Sequence, residues 1–328
     1  ESYKKETDDL LIERVLSPST SFASITTNQG SLSNQGYEIT LSSDIINNKN
    51  VTWSLSGNIG VNESKIVKLG FPEAAYGNET YKAYLGNPIG DHFGTANIFI
   101  VGKAPGLFWG YKTDGIIQTG ESTATGLPTS SKFVMTPGNI RVVDVTGDGI
   151  IDDKDRTIIG DPNPDFTYGF QTSLKVNDLT LSASFNGVQG GQIFNGNRRY
   201  ERMPSQQTAN FTSEAYTNAW RANAQSNLYP SLTSSLKNEA YDMYIEDGSF
   251  LRCSDITLGY VLPEKTSKVI GFNTINIFAS VKNSFLITEY SGYDPEMRTF
   301  SFDGLRPGID LNSYTNPRQF VLGLNLGF

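Results

Sequence analysis

The feature that most constrains this chain is a recurring alternation of large apolar residues with small or polar ones. In residues 317–328, Phe320, Leu322, Leu324, Leu326 and Phe328 share one phase. Val321, Gly323, Asn325 and Gly327 share the other. A period of two is that of a β-strand, whose successive side chains point to opposite faces. Further segments repeat the pattern. Residues 36–43 align Tyr37, Ile39 and Leu41. Residues 51–61 align Val51, Trp53, Leu55, Ile59 and Val61 against Thr52, Ser54, Ser56, Asn58 and Gly60. Residues 166–174 align Phe166, Tyr168 and Phe170, and residues 179–187 align Leu179, Leu181, Ala183 and Phe185. Residues 249–262 carry Ile256, Leu258 and Tyr260, and residues 274–285 carry Ile275, Ile277, Ala279 and Val281. The weakest candidate lies at 2–5. A bulky apolar face opposite Ser, Thr, Asn and Gly suits a wall between hydrocarbon and a hydrated interior.

The connections alternate in length. The links at 43–51, 174–179 and 262–274 are short; those at 6–35, 62–165, 188–248 and 286–316 are long. Short turns on one side and long loops on the other mark an outer-membrane barrel, with the C-terminus on the short-turn, periplasmic side. A soluble β-sandwich also alternates, but its loops rarely reach such lengths. A closed barrel of about eight strands must fill its interior with side chains. The Ser, Thr, Asn and Gly of the second phase would leave it underpacked, so the expected fold is one sector of a wider barrel.

Composition agrees. Hydrophobic residues make up 38% of the 328, and no apolar run is long enough for a transmembrane helix. The net charge of −8 argues against a nucleic-acid partner, which needs a basic face. The single cysteine, Cys253, excludes an internal disulfide framework and reads as a small buried apolar residue. Residues 1–5 show no leader pattern, and the chain reads as a fragment of a longer one.

Five segments, in order, resemble the C-terminal part of the SusC/RagA family of TonB-dependent outer-membrane transporters. They begin with Asn28-Gln-Gly-Ser-Leu-Ser-Asn-Gln-Gly-Tyr-Glu-Ile and Gly102-Lys-Ala-Pro-Gly-Leu-Phe-Trp-Gly-Tyr-Lys-Thr-Asp-Gly. The third runs from Asp144-Val-Thr-Gly-Asp-Gly-Ile-Ile-Asp to Gly160-Asp-Pro-Asn-Pro-Asp-Phe. The last two are Asp247-Gly-Ser-Phe-Leu-Arg-Cys-Ser-Asp-Ile-Thr-Leu-Gly-Tyr and Tyr290-Ser-Gly-Tyr-Asp-Pro-Glu. Cys253 stands where the family more often has an apolar residue, and Thr146 where it more often has Asn. The resemblance implies an all-β, antiparallel transmembrane β-barrel of about 22 strands with a plugged lumen. Residues 1–328 would supply about eight of those strands with long extracellular loops. The plug and the TonB-contacting segment would lie outside them. The resemblance further implies a SusD-like surface lipoprotein as lid, and import of oligosaccharides or peptides.

Two groups of residues invite a chemical reading. Asp144, Thr146, Asp148, Ile150, Asp152 and Asp155 follow the spacing of an EF-hand loop, with Gly149 at the sharp turn and Ile151 as apolar anchor. Calcium (Ca2+) is the expected ion, with magnesium (Mg2+) as an alternative. An acidic turn whose carboxylates cap local backbone N–H groups has the same spacing. Phe108, Trp109, Tyr111, Tyr290 and Tyr293 lie in expected external loops, as do Tyr216 and Trp220. Flat rings beside polar groups suit a sugar or a peptide, and they equally suit packing of loops against one another. Trp53, near a strand start, reads as an interfacial anchor. Residues 212–224 read as a short surface helix. His92, the single histidine, sits in a Gly-rich loop, and no Gly-x-Ser-x-Gly elbow occurs.

The reading is therefore a non-enzymatic barrel portion in the outer membrane. Its expected partners are the rest of the barrel and plug, the lid, TonB and lipid. The alternatives are a secreted, calcium-stabilised β-rich binding module and an outer-membrane enzyme using loop carboxylates.

Overall fold

The computed structural model describes residues 1–15, 24–90, 93–199, 210–235, 237–296 and 299–328. Its main element is one eight-stranded antiparallel sheet. The strands are β1 (Ser2–Val15), β2 (Ser24–Asn47), β3 (Val51–Lys68), β4 (Pro164–Val176), β5 (Leu179–Gly190), β6 (Phe250–Val261), β7 (Thr274–Thr288) and β8 (Gln319–Gly327). Each pairs with its neighbours in sequence, giving an up-and-down meander. Among the described residues β1 and β8 are each paired on one side only, so the sheet is an open wall.

Cross-strand register sorts the side chains. One ladder row runs Ile46, Trp53, Leu174, Leu181, Leu258, Ala279, Leu322. A parallel row runs Val51, Val176, Leu179, Tyr260, Ile277, Leu324. Partners in a ladder share a face, so the apolar phases of separate segments merge into one belt. The belt is open to its surroundings: Leu181 is 44% exposed, Leu258 46% and Leu322 82%. The opposite face carries Ser54, Ser173, Ser182, Thr257 and Ser280 in one row, and Ser56, Gln171, Ser184, Asp255 and Lys282 in the next.

Short turns close the hairpins at one end of the wall. Asn48 Oδ1 accepts from the N–H groups of Asn50 and Val51 at 3.0 and 2.9 Å. Asn177 takes φ +53°, a left-handed conformation that Asn tolerates, and lets Val176 pair directly with Leu179. The link from β6 to β7 holds a six-residue helix, Glu264–Val269. Where small residues interrupt the rows, aromatic rings cover them. A Cβ at Gly187 would collide with the Tyr168 ring, and one at Gly323 with the Phe278 ring.

One expectation needs correction. The connection expected over 6–35 is mostly strand, because β1 reaches Val15 and β2 starts at Ser24. The β2 part of that hairpin extension is rich in Thr, Asn, Gln and Ser, and the β1 part sets Leu10, Leu11 and Ile12 side by side, so neither shows apolar alternation. The remaining long connections fold together. Glu73–Tyr76, Glu79–Leu85, Asn97–Ile100, Leu107–Gly110 and Thr157–Gly160 form a five-stranded sheet. Gln192–Asn195 joins Ile245–Asp247 and, in parallel, Ile309–Asp310. The buried core of the chain lies in this loop body, where Phe108, Ile116, Ile117, Phe133, Phe194, Tyr241, Tyr244 and Ile309 pack together. The helix expected within 212–224 forms at Ser213–Asn218, capped by Thr212 Oγ1, which accepts from Ala215 N–H at 3.1 Å.

The two faces of β5 should therefore respond oppositely to charge. In the complete barrel in a bilayer, Leu181→Arg on the belt should cost about 2–4 kcal/mol of unfolding free energy. The neighbouring Ser182→Arg should cost less than about 1 kcal/mol. Denaturant titration of the two variants compares them directly.

Candidate functional site: the polar face and its loop body

The polar face is a hydroxyl-rich surface with sparse charge. Asp255 accepts from Thr257 Oγ1 at 2.7 Å and from Ser280 Oγ at 2.6 Å. Asp44 accepts from Ser54 Oγ at 2.7 Å. Around Asp44, the side chains of Ser42, Ser54, Ser56, Gln171 and Ser173 line a depression of about 440 Å3. Such a surface offers many hydrogen bonds with few charges. On the apolar face Trp53 lies close to the short turns, its indole N–H donating to Thr172 Oγ1 at 3.0 Å. This is a placement suited to the boundary between hydrocarbon and water.

Four of the five rings singled out as substrate contacts are interior to the loop body. Phe108 and Tyr111 are fully buried, Trp109 is 3% exposed and Tyr290 5%. Tyr111 meets Phe133 edge-on with centroids 4.9 Å apart. Its hydroxyl donates to Asp153 Oδ1 at 2.9 Å and accepts from Lys132 Nζ at 3.0 Å. Burial pushes the Tyr111 hydroxyl well above its ordinary pKa, so it stays a neutral donor. Lys132 also pairs with Glu239 at 2.7 Å, tying three segments of the loop body to one half-buried cation. Tyr290 donates to Asp310 Oδ2 at 2.6 Å. With both faces covered, these four rings pack loops together, and Tyr293, 77% exposed, is the one of the set that faces outward. Tyr216 is exposed and stacks on Phe211, whereas Trp220 packs against the loop core and donates to Gln118 Oε1 at 3.0 Å. His92 lies outside the described residues.

The acidic loop at 144–155 is held by its own backbone. Asp155 is fully buried. Its Oδ1 accepts from the N–H groups of Val145 and Thr146 at 2.9 and 3.0 Å and from Thr146 Oγ1 at 3.1 Å, and its Oδ2 accepts from Asp152 N–H at 2.9 Å. Asp144 accepts from Gly147 and Gly149 N–H at 2.7 and 2.8 Å, Asp148 from Ile150 N–H at 2.9 Å, and Asp152 from Lys154 N–H at 2.7 Å. Gly147 and Gly149 take φ +73° and +82°, which lets their N–H groups converge on Asp144. Ile151 is buried in the loop core, as its anchoring position predicts. The carboxylates thus hold local N–H groups, and those of Asp144 and Asp155 converge on Thr146 Oγ1, 3.0 and 3.1 Å away. Among the described residues no three His, Cys, Asp or Glu side chains gather in a way that would hold a metal ion. These backbone contacts are those of the acidic-turn alternative.

Sequence reasoning missed Arg252. Extending the alternation of Ile256, Leu258 and Tyr260 backwards would put it on the apolar face. A bulge at Ser254 intervenes: Cys253 pairs with Phe185 and Phe285, while Asp255 pairs with Ser184 and Lys282. The extra residue reverses the phase of β6. It buries Cys253 beside the stacked belt rings of Phe170 and Phe185 and turns Arg252 to the polar face. There its guanidinium pairs with Asp294 at 2.6 Å and with Glu296.

Comparisons with known proteins follow the same lines. The chain is 32% identical over 333 residues to TonB-dependent receptor P3 of Formosa agariphila, covering 99% of this chain and 32% of that protein. It is 29% identical over 334 residues to TonB-dependent receptor SusC of Bacteroides thetaiotaomicron, covering 100% of this chain and 30% of that protein. Among solved structures it superposes on the RagAB peptide transporter with a TM-score of 0.77 at 23% identity, covering all of this chain and 33% of that one. No family model matches the chain. The chain spans about a third of the length of these relatives. The similarity to these proteins holds along almost the whole chain, and the fold is an antiparallel, all-β one that matches part of that transporter.

The acidic turn makes a separable prediction. Chelator should leave hydrogen exchange over 141–161 unchanged, whereas Asp155→Ala should release it. The substitution strands the N–H groups of Val145, Thr146 and Asp152 at roughly 1–3 kcal/mol each. Acid should act through Asp144. Desolvation opposes its ionisation, but the N–H groups of Gly149 and Gly147 outweigh it and hold the carboxyl below its ordinary value of 3.8. Because the folded value is depressed, the contribution of Asp144 is present above the unfolded value and lost as pH falls through the folded one. Protection of the Gly147 and Gly149 amides should persist near neutrality and fail only in acid below the ordinary carboxyl value of 3.8. Loosening by chelator at neutral pH would instead place a cation among these carboxylates.

Proposed function

We propose that this chain forms the C-terminal wall sector of an outer-membrane importer of oligomeric nutrients. Its apolar belt meets lipid, its polar face lines the passage, and its loop body stands on the extracellular side with the C-terminus in the periplasm. The observation that carries this reading is the ladder register, which gathers the apolar phase of the wall strands onto one exposed face and Ser, Thr, Asn and Gln onto the other. A water-soluble module has no use for so continuous an exposed belt, which sets aside the secreted calcium-stabilised alternative. Selective binding and passage, with no bond made or broken, suit this hydroxyl-rich polar face.

The transport cycle needs more than this sector: a plug inside the completed barrel, a TonB-contacting segment, and a SusD-like lipoprotein as lid over the loop body. The relatives support this, one being named SusC and a structural neighbour being the RagAB peptide transporter. Cargo of the oligosaccharide or peptide class suits a hydroxyl-rich wall of low charge, and Tyr293 is the proposed aromatic contact.

The test is uptake by cells carrying the complete parent protein. Oligomer uptake should require the parent, an intact TonB system and the lid, and deleting residues 1–328 from the parent should abolish it. Undiminished uptake without TonB would contradict the reading.

A further inference from the structure

We propose that residues 289–296 form a strap lying across the polar face of β5 and β6, locked there by Arg252, and that this strap sets the size of cargo able to pass. The inference rests on the transporter reading and deepens it by naming a selectivity element and the residue that positions it.

Several independent contacts define the strap. On β6, Arg252 Nη2 donates to Asp294 Oδ1 at 2.6 Å, and its Nε donates to Glu296 Oε2. On the neighbouring β5, Asn186 Nδ2 donates to Glu296 Oε1 at 3.3 Å. Asn186 and Arg252 are ladder partners on the polar face, so Glu296 bridges two adjacent strands from the passage side. Pro295 and Glu296 also roof a cavity of about 230 Å3 lined by Val188 and Phe250, ladder partners on that same face. The other end is tied to the loop body. Ser291 N–H and Oγ both donate to Glu246, at 2.8 and 2.9 Å, and Tyr290 donates to Asp310. Arg198 completes the Glu246 anchor at 2.9 Å. Asp294 also accepts from Glu296 N–H at 3.0 Å.

The side chains of Arg252 and Asp294 are 6% and 3% exposed. A buried carboxylate is stable only beside a partner, so Asp294 stays docked while Arg252 faces it. Arg252 faces it because of the bulge at Ser254; a regular strand would direct the guanidinium into the belt. Bulges recur where a strand must re-aim a side chain. Here the re-aimed group holds a segment that narrows the passage, while Tyr293 on the same segment stays exposed.

The experiment uses the complete parent transporter with its partners and a ladder of cargo oligomers of increasing length. Arg252→Ala should raise hydrogen exchange in 289–296 by on the order of 100-fold, the scale of breaking a buried ion pair. It should also raise uptake of the longest oligomers relative to the shortest by roughly tenfold. Arg252→Lys, which keeps the charge, should restore most of the discrimination. The pair Asp294→Asn with Glu296→Gln weakens the lock from the strap side and leaves the wall strands untouched. It should reproduce the effect of Arg252→Ala even where that variant assembles poorly. Undocking of the strap with an unchanged length ratio, or equal scaling of all lengths, overturns the proposal. Failure of the unaltered parent to import any oligomer would instead overturn the transporter reading, while the exchange measurement still reports whether Arg252 holds the strap.

Discussion

Cross-strand register is the constraint on which this structure depends. A slip of one residue moves every side chain of a strand to the opposite face. The rows therefore exist only if neighbouring strands keep phase. Trp53 beside Leu174, Leu174 beside Leu181, and Leu181 beside Leu258 are links of one chain of agreements. The same pairings place Ser54, Ser173, Ser182 and Thr257 on the far face. Belt and polar lining are thus one property of the ladder, and neither is adjustable alone. The bulge at Ser254 is the instructive departure: β6 changes phase for a few residues while β5 and β7 do not, and Arg252 appears on the polar side.

The chain solves two burial problems in opposite ways. Its wall leaves large apolar residues uncovered, from Tyr37 at 66% exposed to Leu322 at 82%. Its loop body covers them, with Phe108, Tyr111, Phe194 and Tyr244 fully buried in edge-to-face clusters. The contrast reflects solvent. Rings flanking water must be packed against one another, whereas belt residues facing hydrocarbon need no cover from the protein. Half-buried cations then pin the loop body, through Lys132 between Asp153 and Glu239, and Arg198 on Glu246. The long loops thus form a second packed body seated on the wall.

The wall was legible in the sequence wherever one face of a strand was apolar. Residues 51–61, 166–174, 179–187 and 274–285 all fall within observed strands, because alternation reports directly on a surface with two different neighbours. The upper parts of β1 and β2 were not legible, since β2 there carries Thr, Asn, Gln and Ser in both phases and β1 runs Leu10, Leu11 and Ile12 together, without alternation. The loop core was missed for a different reason. Its apolar runs, such as Asn97–Ile100, are short and buried on both sides, so they show no period. The rings of Phe108 and Trp109 looked available to a ligand because sequence identifies a ring without showing what covers it. The acidic loop has EF-hand spacing, yet spacing fixes only where oxygens occur along the chain. Arg252 was hidden by a single inserted residue, which no fixed period can report.

The central claim is that the two phases of each wall strand meet different media. The most direct measurement is a nitroxide scan along 179–187 in the complete barrel in a lipid bilayer, comparing collision with oxygen, which concentrates in hydrocarbon, and with a water-soluble nickel complex. The account predicts a period of two, with oxygen accessibility peaking at 181, 183 and 185 and nickel accessibility at 180, 182 and 184. Oxygen accessibility that fails to alternate, or peaks at the serine positions, would contradict it.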